Sequence, residues 1–234
     1  MTSVFDRLAE EYPAFWIDAL GEHNHIGGIE TTRWLLARIP LGPGDRMLDA
    51  GAFVGAAARL AAKETGVRAV ATDINRDFLR AGAQMDGGAC VEWLVATNRR
   101  LPFADGSFQS VWCLDSYLAP KELSRVAAQV ATAAICTEVP VDGRGGHEAF
   151  VEEWEALGWQ LVAHRQLSGE ATHAWRMAEA QLVRKRPHFR ERYGERGYEM
   201  QLDMLANLVH LYERGEQGHG LFVFRRGASS PRSA

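Results

Sequence analysis

Cysteine is scarce in this chain: three among 234 residues, Cys90, Cys113 and Cys136, far apart and never in a C-x-x-C pair. An odd number at such spacing reads as buried thiols in a reducing cytoplasm. Long apolar runs are lacking as well, since charges interrupt every stretch well before the ~20 residues of a membrane span. The first eleven residues carry Asp6, Arg7, Glu10 and Glu11 in place of the basic start and apolar centre of a secretory leader. Nor is there an excess of positive charge. Lys and Arg total 26 against 30 Asp and Glu, a net charge of −4, so no global field holds a nucleic acid or an anionic bilayer. With 47% hydrophobic and 24% charged residues the chain has the proportions of a soluble globular domain. The expectation is a cytoplasmic protein with a small-molecule partner, no nucleic acid and no membrane, as a monomer or homodimer.

What is present is an alternation. Residues 46–50 form a short apolar run that stops at Gly51, and residues 56–63 are strong helix formers. The unit repeats with a strand at 68–72, the turn Asp73-Ile74-Asn75, and helical spacing of Phe78, Leu79 and Ala83 over 76–84. Strands follow at 91–95 and 110–114, a helix at 121–131, and a strand at 134–139 ended by Pro140. Such alternation predicts a mostly parallel sheet covered by helices on both faces. Beyond it, the pattern gives a helix at 146–157, a strand at 160–166, a helical insertion at 168–215 and a last strand at 220–224. Ahead of it lie a helix at 4–20, a loop at 21–28 and a helix at 30–39. These predict one domain over 1–227, with an N-terminal helical cap (1–40), a core (44–140), a lid insertion (168–215) and a flexible tail (228–234). The insertion holds a basic cluster at 182–196, readable as a solvated helix face or as a surface for an anionic ligand.

In an open parallel sheet the ligand sits at the carboxyl ends of the strands, where strand order reverses. The first strand ends in Asp49-Ala50-Gly51-Ala52-Phe53-Val54-Gly55, and a turn whose backbone approaches a ligand needs glycine where a Cβ would collide. About twenty residues on, Asp73 ends the second strand, where a carboxylate can accept from a ribose diol. Its alternative role is N-cap of the following helix. His23 and His25 flank Asn24, without the i, i+4 spacing or the neighbouring carboxylates of a metal pair. They read as loop histidines or as substrate contacts.

From Gly44 to Val139 the sequence resembles the class I S-adenosylmethionine-dependent methyltransferases, with looser similarity outside. Four segments carry the resemblance: Met47 to Gly55; Ala71-Thr72-Asp73-Ile74-Asn75; Leu101-Pro102-Phe103-Ala104-Asp105-Gly106-Ser107-Phe108; and Lys121-Glu122-Leu123-Ser124-Arg125-Val126. The stretch His25-Ile26-Gly27-Gly28-Ile29-Glu30-Thr31-Thr32 is similar to the glycine-pair segment that precedes the core in some small-molecule methyltransferases. The resemblance implies a Rossmann-like, doubly wound, seven-stranded sheet, mostly parallel with an antiparallel last strand.

It implies S-adenosyl-L-methionine as cofactor, held by Asp49, Gly51, Ala52, Phe53, Gly55, Asp73, Ile74, Thr97, Asn98 and Leu114. Catalytic candidates are His25, Asp115 and Tyr117, with His23, Tyr117, His173 and Trp175 as acceptor-binding residues and no metal. Asp115, Ser116 and Tyr117 follow the fourth strand, where a base would face the nucleophile. Tyr117 and Trp175 are candidate ring faces for the sulfonium charge. His173, Arg176, Tyr193 and Tyr198 of the insertion are candidates for setting substrate choice.

The sequence departs from the family pattern at Phe53, in place of a middle glycine, and at Ala96-Thr97-Asn98, in place of a glycine-aspartate pair. Gln109 stands where an Asp is usual, and Ala131-Thr132-Ala133 replaces a second glycine pair. The expected function is methyl transfer to a small acceptor through an O, N, S or C nucleophile. The alternatives are a degenerate fold member that binds or stabilises a partner, and an S-adenosylmethionine-binding enzyme of non-methylating chemistry.

Overall fold

The computed structural model describes residues 21–87, 91–140 and 146–227. The helix expected at 4–20, the tail at 228–234 and Cys90 lie outside the described residues. Seven strands form one sheet in the order β3-β2-β1-β4-β5-β7-β6. They are β1 (Arg46–Ala50), β2 (Arg68–Asp73), β3 (Val91–Val95), β4 (Phe108–Leu114), β5 (Ala127–Pro140), β6 (Gln160–Gln166) and β7 (Gln217–Arg226). The first five run parallel, and β7 is antiparallel to both β5 and β6. This is the doubly wound fold class read from the sequence.

Helices α1 (Gly28–Leu36), α2 (Ala56–Thr65), α3 (Arg76–Asp86), α4 (Pro120–Val126) and α5 (Gly146–Glu155) cover the two faces. The insertion is a pair, α6 (Ser168–Arg184) and α7 (Arg186–Glu213), the latter broken at Gly194, where φ is 73°. Strand alternation sends neighbouring side chains to opposite cores. Leu48, Val111, Phe222 and Phe224 pack with Leu123, Trp154 and Trp159 on one face. Met47, Trp112, Leu221 and Val223 pack with Ile26, Leu35 and Tyr212 on the other. Both faces of the central strands are therefore buried, which is why β1 and β4 read as continuous apolar runs. The helix pair has a core of its own, Ala178, Leu182, Phe189, Tyr198 and Leu205, joined to the second sheet face through Trp175.

One element differs from expectation. The sequence pattern predicts a helix over 121–131, but α4 stops at Val126 and β5 begins at Ala127. The cause lies a hundred residues downstream. The Arg226 guanidinium, over the Trp159 ring, donates to the carbonyl oxygens of Ser124, Ala127 and Ala128. With Ala131 opposite Arg226 in the ladder, tertiary pairing overrides local propensity.

Candidate functional site

The strand order reverses between β1 and β4, so the crevice opens at their carboxyl ends. There the Gly51 and Ala52 amides both donate to the Thr72 carbonyl at 2.8 Å, turning the chain sharply off β1 toward β2. Gly51 and Gly55 have φ of 76° and 64°, in the left-handed region that glycine enters without strain. Asp73 ties this turn down: Oδ2 accepts the Phe53 amide at 2.9 Å and Oδ1 accepts the Asn75 amide at 2.8 Å. Burial pushes the Asp73 carboxyl above its ordinary range, and the amides of Asn75, Phe53 and Ile74 counter it. The cap of α3 is Asn75, which accepts from Asp77 and Phe78, so the N-cap reading of Asp73 does not hold.

Phe53 occupies the family's glycine position with φ of 56°, strained for a residue with a Cβ. Its ring is buried edge-on against Phe78, with 4.4 Å between centroids, in a cluster with Val54. The side chain thus points toward α3, away from the crevice. Trp93 of β3 braces the same region, its ring filling the space where a Cβ on Gly55 or Gly82 would stand.

The crevice itself is closed. A Cβ on Gly51 would lie 1.8 Å from Ser116 Oγ and 3.3 Å from Asn98 Nδ2, so these two side chains roof the turn. Asn98 donates to the Tyr117 carbonyl at 2.9 Å, which fixes that roof to the β4 end. Beneath it a cavity of about 10 Å³ remains between Asn24, His25, Asp49, Gly51, Ala57 and Leu114. Burial pushes the Asp49 carboxyl up to about 7, against a hydrogen bond from the Ala58 amide in the first turn of α2. A wider depression of about 530 Å³ lies at the opposite ends of β4 and β5, near Arg125 and Arg226. Both guanidinium groups there are engaged by protein oxygens.

Beyond β4 the sequence-predicted residues separate. Asp115 has φ of 52°, and its amide donates to the Cys136 carbonyl at 2.9 Å. Its Oδ1 lies 2.7 Å from His219 Nε2, and its Oδ2 accepts the Ile26 amide at 2.7 Å. Because the carboxylate only accepts, His219 carries its proton on Nε2, and Nδ1 accepts from the Tyr212 hydroxyl at 2.9 Å. The Cys136 thiol lies 3.5 Å from Asp115 Oδ2 and 3.4 Å from His219 Nε2. Burial alone would raise the Asp115 carboxyl. His219, the Ile26 amide and the nearby His25 together hold it below its usual value. His219 is 1% exposed on β7, while the Asp115 side chain is 21% exposed, so the carboxylate is the part of this cluster nearest solvent.

His25 donates from Nε2 to the Gly28 carbonyl at 2.9 Å, with the Thr32 hydroxyl at 3.1 Å. Burial lowers its pKa to about 4, so its imidazole is neutral and committed to the start of α1. His23 is half-buried with Nδ1 unpartnered. Tyr117 is exposed, with the Arg99 guanidinium 4.5 Å over its ring, a surface stack set apart from the cluster around Asp115. Thr97 is exposed and its hydroxyl accepts the Arg99 amide, and Ile74 is exposed beside Asp73. On α6, His173 faces solvent and Trp175 packs between the two cores. Sequence reasoning missed His219 and Tyr212 altogether. The signal for His219 was a polar residue immediately before an apolar strand, and nothing local linked it to Asp115.

Residues 47–134 match the family model described as a methyltransferase domain. The match spans 88 of the 234 residues, so the likeness to a methyltransferase domain is that of the sheet's core. Over 74 residues the chain is 39% identical to demethylmenaquinone methyltransferase of Corynebacterium urealyticum, covering 32% of this chain and 30% of that protein. The chain spans less than half the length of the curated relatives it matches. The methyltransferase fold extends over nearly the whole chain. A protein of Galdieria sulphuraria, provisionally named a sarcosine dimethylglycine methyltransferase, superposes with a TM-score of 0.84 at 16% identity, covering 95% of this chain and 99% of its own. The cyclopropane synthase MmaA2 of Mycobacterium tuberculosis superposes at 0.83 with 14% identity, covering 97% and 99%. Among the described residues of this methyltransferase-fold chain, no helix is long and apolar enough to cross a membrane.

Proposed function

We propose that the protein binds S-adenosylmethionine at the carboxyl ends of β1, β2 and β4 and directs its methyl group to a small-molecule acceptor. The observation that carries this reading is the Asp73 carboxylate bonded to the Phe53 amide of the glycine turn, at the reversal of strand order. Asp73 accepts the Phe53, Asn75 and Ile74 amides, which fix its carboxylate at the end of β2 where a ribose hydroxyl would meet it. The left-handed turn at Gly51 lets backbone rather than side chain approach the ligand. Asp49, behind it, accepts from the first turn of α2 and stands where a cationic amino group would be neutralised.

The bound sulfonium supplies an electrophilic methyl group. The chain supplies orientation, exclusion of water and, for an acceptor that loses a proton, a carboxylate at Asp115 kept ionised by its neighbours. Asn98 and Ser116 cover Gly51, and the remaining cavity of about 10 Å³ is far smaller than an adenosyl group. Binding therefore displaces this roof, with the insertion at 168–215 acting as lid. The named relatives support an amine or a quinone-like acceptor. A cytoplasmic setting suits the free, buried thiols of Cys113 and Cys136.

The test is transfer of label from methyl-labelled S-adenosylmethionine to a panel of small amines, thiols and naphthoquinols. Acceptor-dependent label in an extractable small product supports the reading. The closed roof over Gly51 favours one rival, a fold member that no longer transfers methyl groups. That rival predicts no labelled product and no cofactor affinity.

A further inference from the structure

Cys136, His219 and Asp115 offer a thiol, an imidazole nitrogen and a carboxylate whose ligand atoms all lie within 4.8 Å of one another at the carboxyl ends of β4 and β5. The chain brings them from three separate strands or strand ends, and Asp115, next in sequence to the Ser116 that covers Gly51, is the member nearest the crevice. We infer that these three side chains form a binding site for a single divalent transition-metal ion of the zinc class.

The donor set is the first argument. Thiolate with imidazole is the combination that selects zinc-like ions over magnesium or calcium, and a thiolate plus a carboxylate offset a double positive charge. Distance is the second. Zinc bond lengths of about 2.0 to 2.3 Å place tetrahedral ligand atoms about 3.3 to 3.6 Å apart. Cys136 Sγ lies 3.4 Å from His219 Nε2 and 3.5 Å from Asp115 Oδ2, so both distances from the sulfur already have that length. The other carboxylate oxygen, Oδ1, lies 2.7 Å from His219 Nε2 in a hydrogen bond, which opens when the ion takes the place of its proton.

The surroundings are the third argument. A metal-bound histidine needs a partner for its other nitrogen, and Tyr212 stands 2.9 Å from His219 Nδ1. The Ile26 amide holds the carboxylate in place. On binding, the thiol proton leaves to solvent, and His219 keeps one proton, now on Nδ1 and donated to the Tyr212 oxygen. Three protein donors leave a tetrahedral ion one position short, as in catalytic rather than structural zinc sites. Asp115 is the one ligand of the three that reaches solvent, so the open position lies on its side.

The site stands or falls independently of methyl transfer, because its test uses no cofactor and no acceptor. The full-length protein, stripped with a chelator and shown by circular dichroism to be folded, is titrated with Co²⁺ and, in parallel calorimetry, with Zn²⁺. One equivalent of Co²⁺ giving a thiolate-to-cobalt charge-transfer band is the expected result. Cys136→Ser is expected to abolish the band, Cys90→Ser and Cys113→Ser to leave it intact, and Tyr212→Phe to weaken binding about 10-fold or more. Absence of the band in the folded wild-type protein would overturn the site, leaving a purely proton-linked Asp115–His219–Tyr212 network. A band that survives Cys136→Ser would overturn it equally.

Discussion

The Phe53 amide donates to Asp73 Oδ2 across twenty residues of sequence, so one carboxylate fixes the turn after β1 and stands at the end of β2. This single bond makes the turn and the ribose-binding candidate one unit. Replacing Asp73 by Ala should weaken S-adenosylhomocysteine binding by ~1–3 kcal/mol, with loss of melting temperature from the released turn. Calorimetry on the folded variant checks this, and unchanged affinity would place the cofactor elsewhere.

Phe53 poses the opposite question, because its strained backbone sits in the turn while its ring packs on Phe78. Phe53→Gly relieves ~1–2 kcal/mol of left-handed strain and forfeits ~3–5 kcal/mol of buried aromatic packing. The net expectation is a less stable protein with cofactor affinity within about twofold of wild type. Tighter binding would mean that the ring obstructs the site.

Ser116 is the obstruction the structure does contain, lying where a Cβ of Gly51 would stand. Ser116→Gly removes a group that the ligand must displace, and S-adenosylhomocysteine should bind severalfold more tightly. Equal affinity in the two proteins would show that the roof opens at no cost.

Asp49 and His25 give the fold a characteristic dependence on pH. Burial raises Asp49 to about 7, so the folded state binds its proton more tightly than the unfolded chain; this contribution is full in acid and is lost as pH rises toward 7. Burial lowers His25 to about 4, so its contribution runs the other way, improving as pH rises from 4 to its ordinary 6.5. Asp49→Asn removes the first effect alone. Its stability relative to wild type should therefore increase steadily between pH 4 and 7 in denaturant titrations. A constant difference across that range would contradict the buried, protonatable Asp49.

The parts of the molecule that were legible in the sequence are those fixed locally. β1, its glycine turn, β2 and Asp73 lie within thirty residues, and each is signalled by apolar runs, helix formers and turn residues in order. The end of α4 was not legible, because Arg226 sets it from the far end of the sheet. The Asp115 cluster was half legible: Asp115 follows a strand, but its partner His219 is 104 residues away. No periodicity carries that contact, which depends on β7 inserting antiparallel beside β5. Tyr117 shows the converse, since its position after β4 suggested a ring over the acceptor and Arg99 holds it at the surface.

The account turns on whether the crevice above Gly51 accepts an adenosyl cofactor, and calorimetric titration of the purified protein with S-adenosylhomocysteine tests that directly. Micromolar binding at one site per chain, weakened in Asp73→Ala, is the predicted result. No heat of binding at millimolar ligand would contradict it and leave a methyltransferase fold whose turn no longer holds its cofactor.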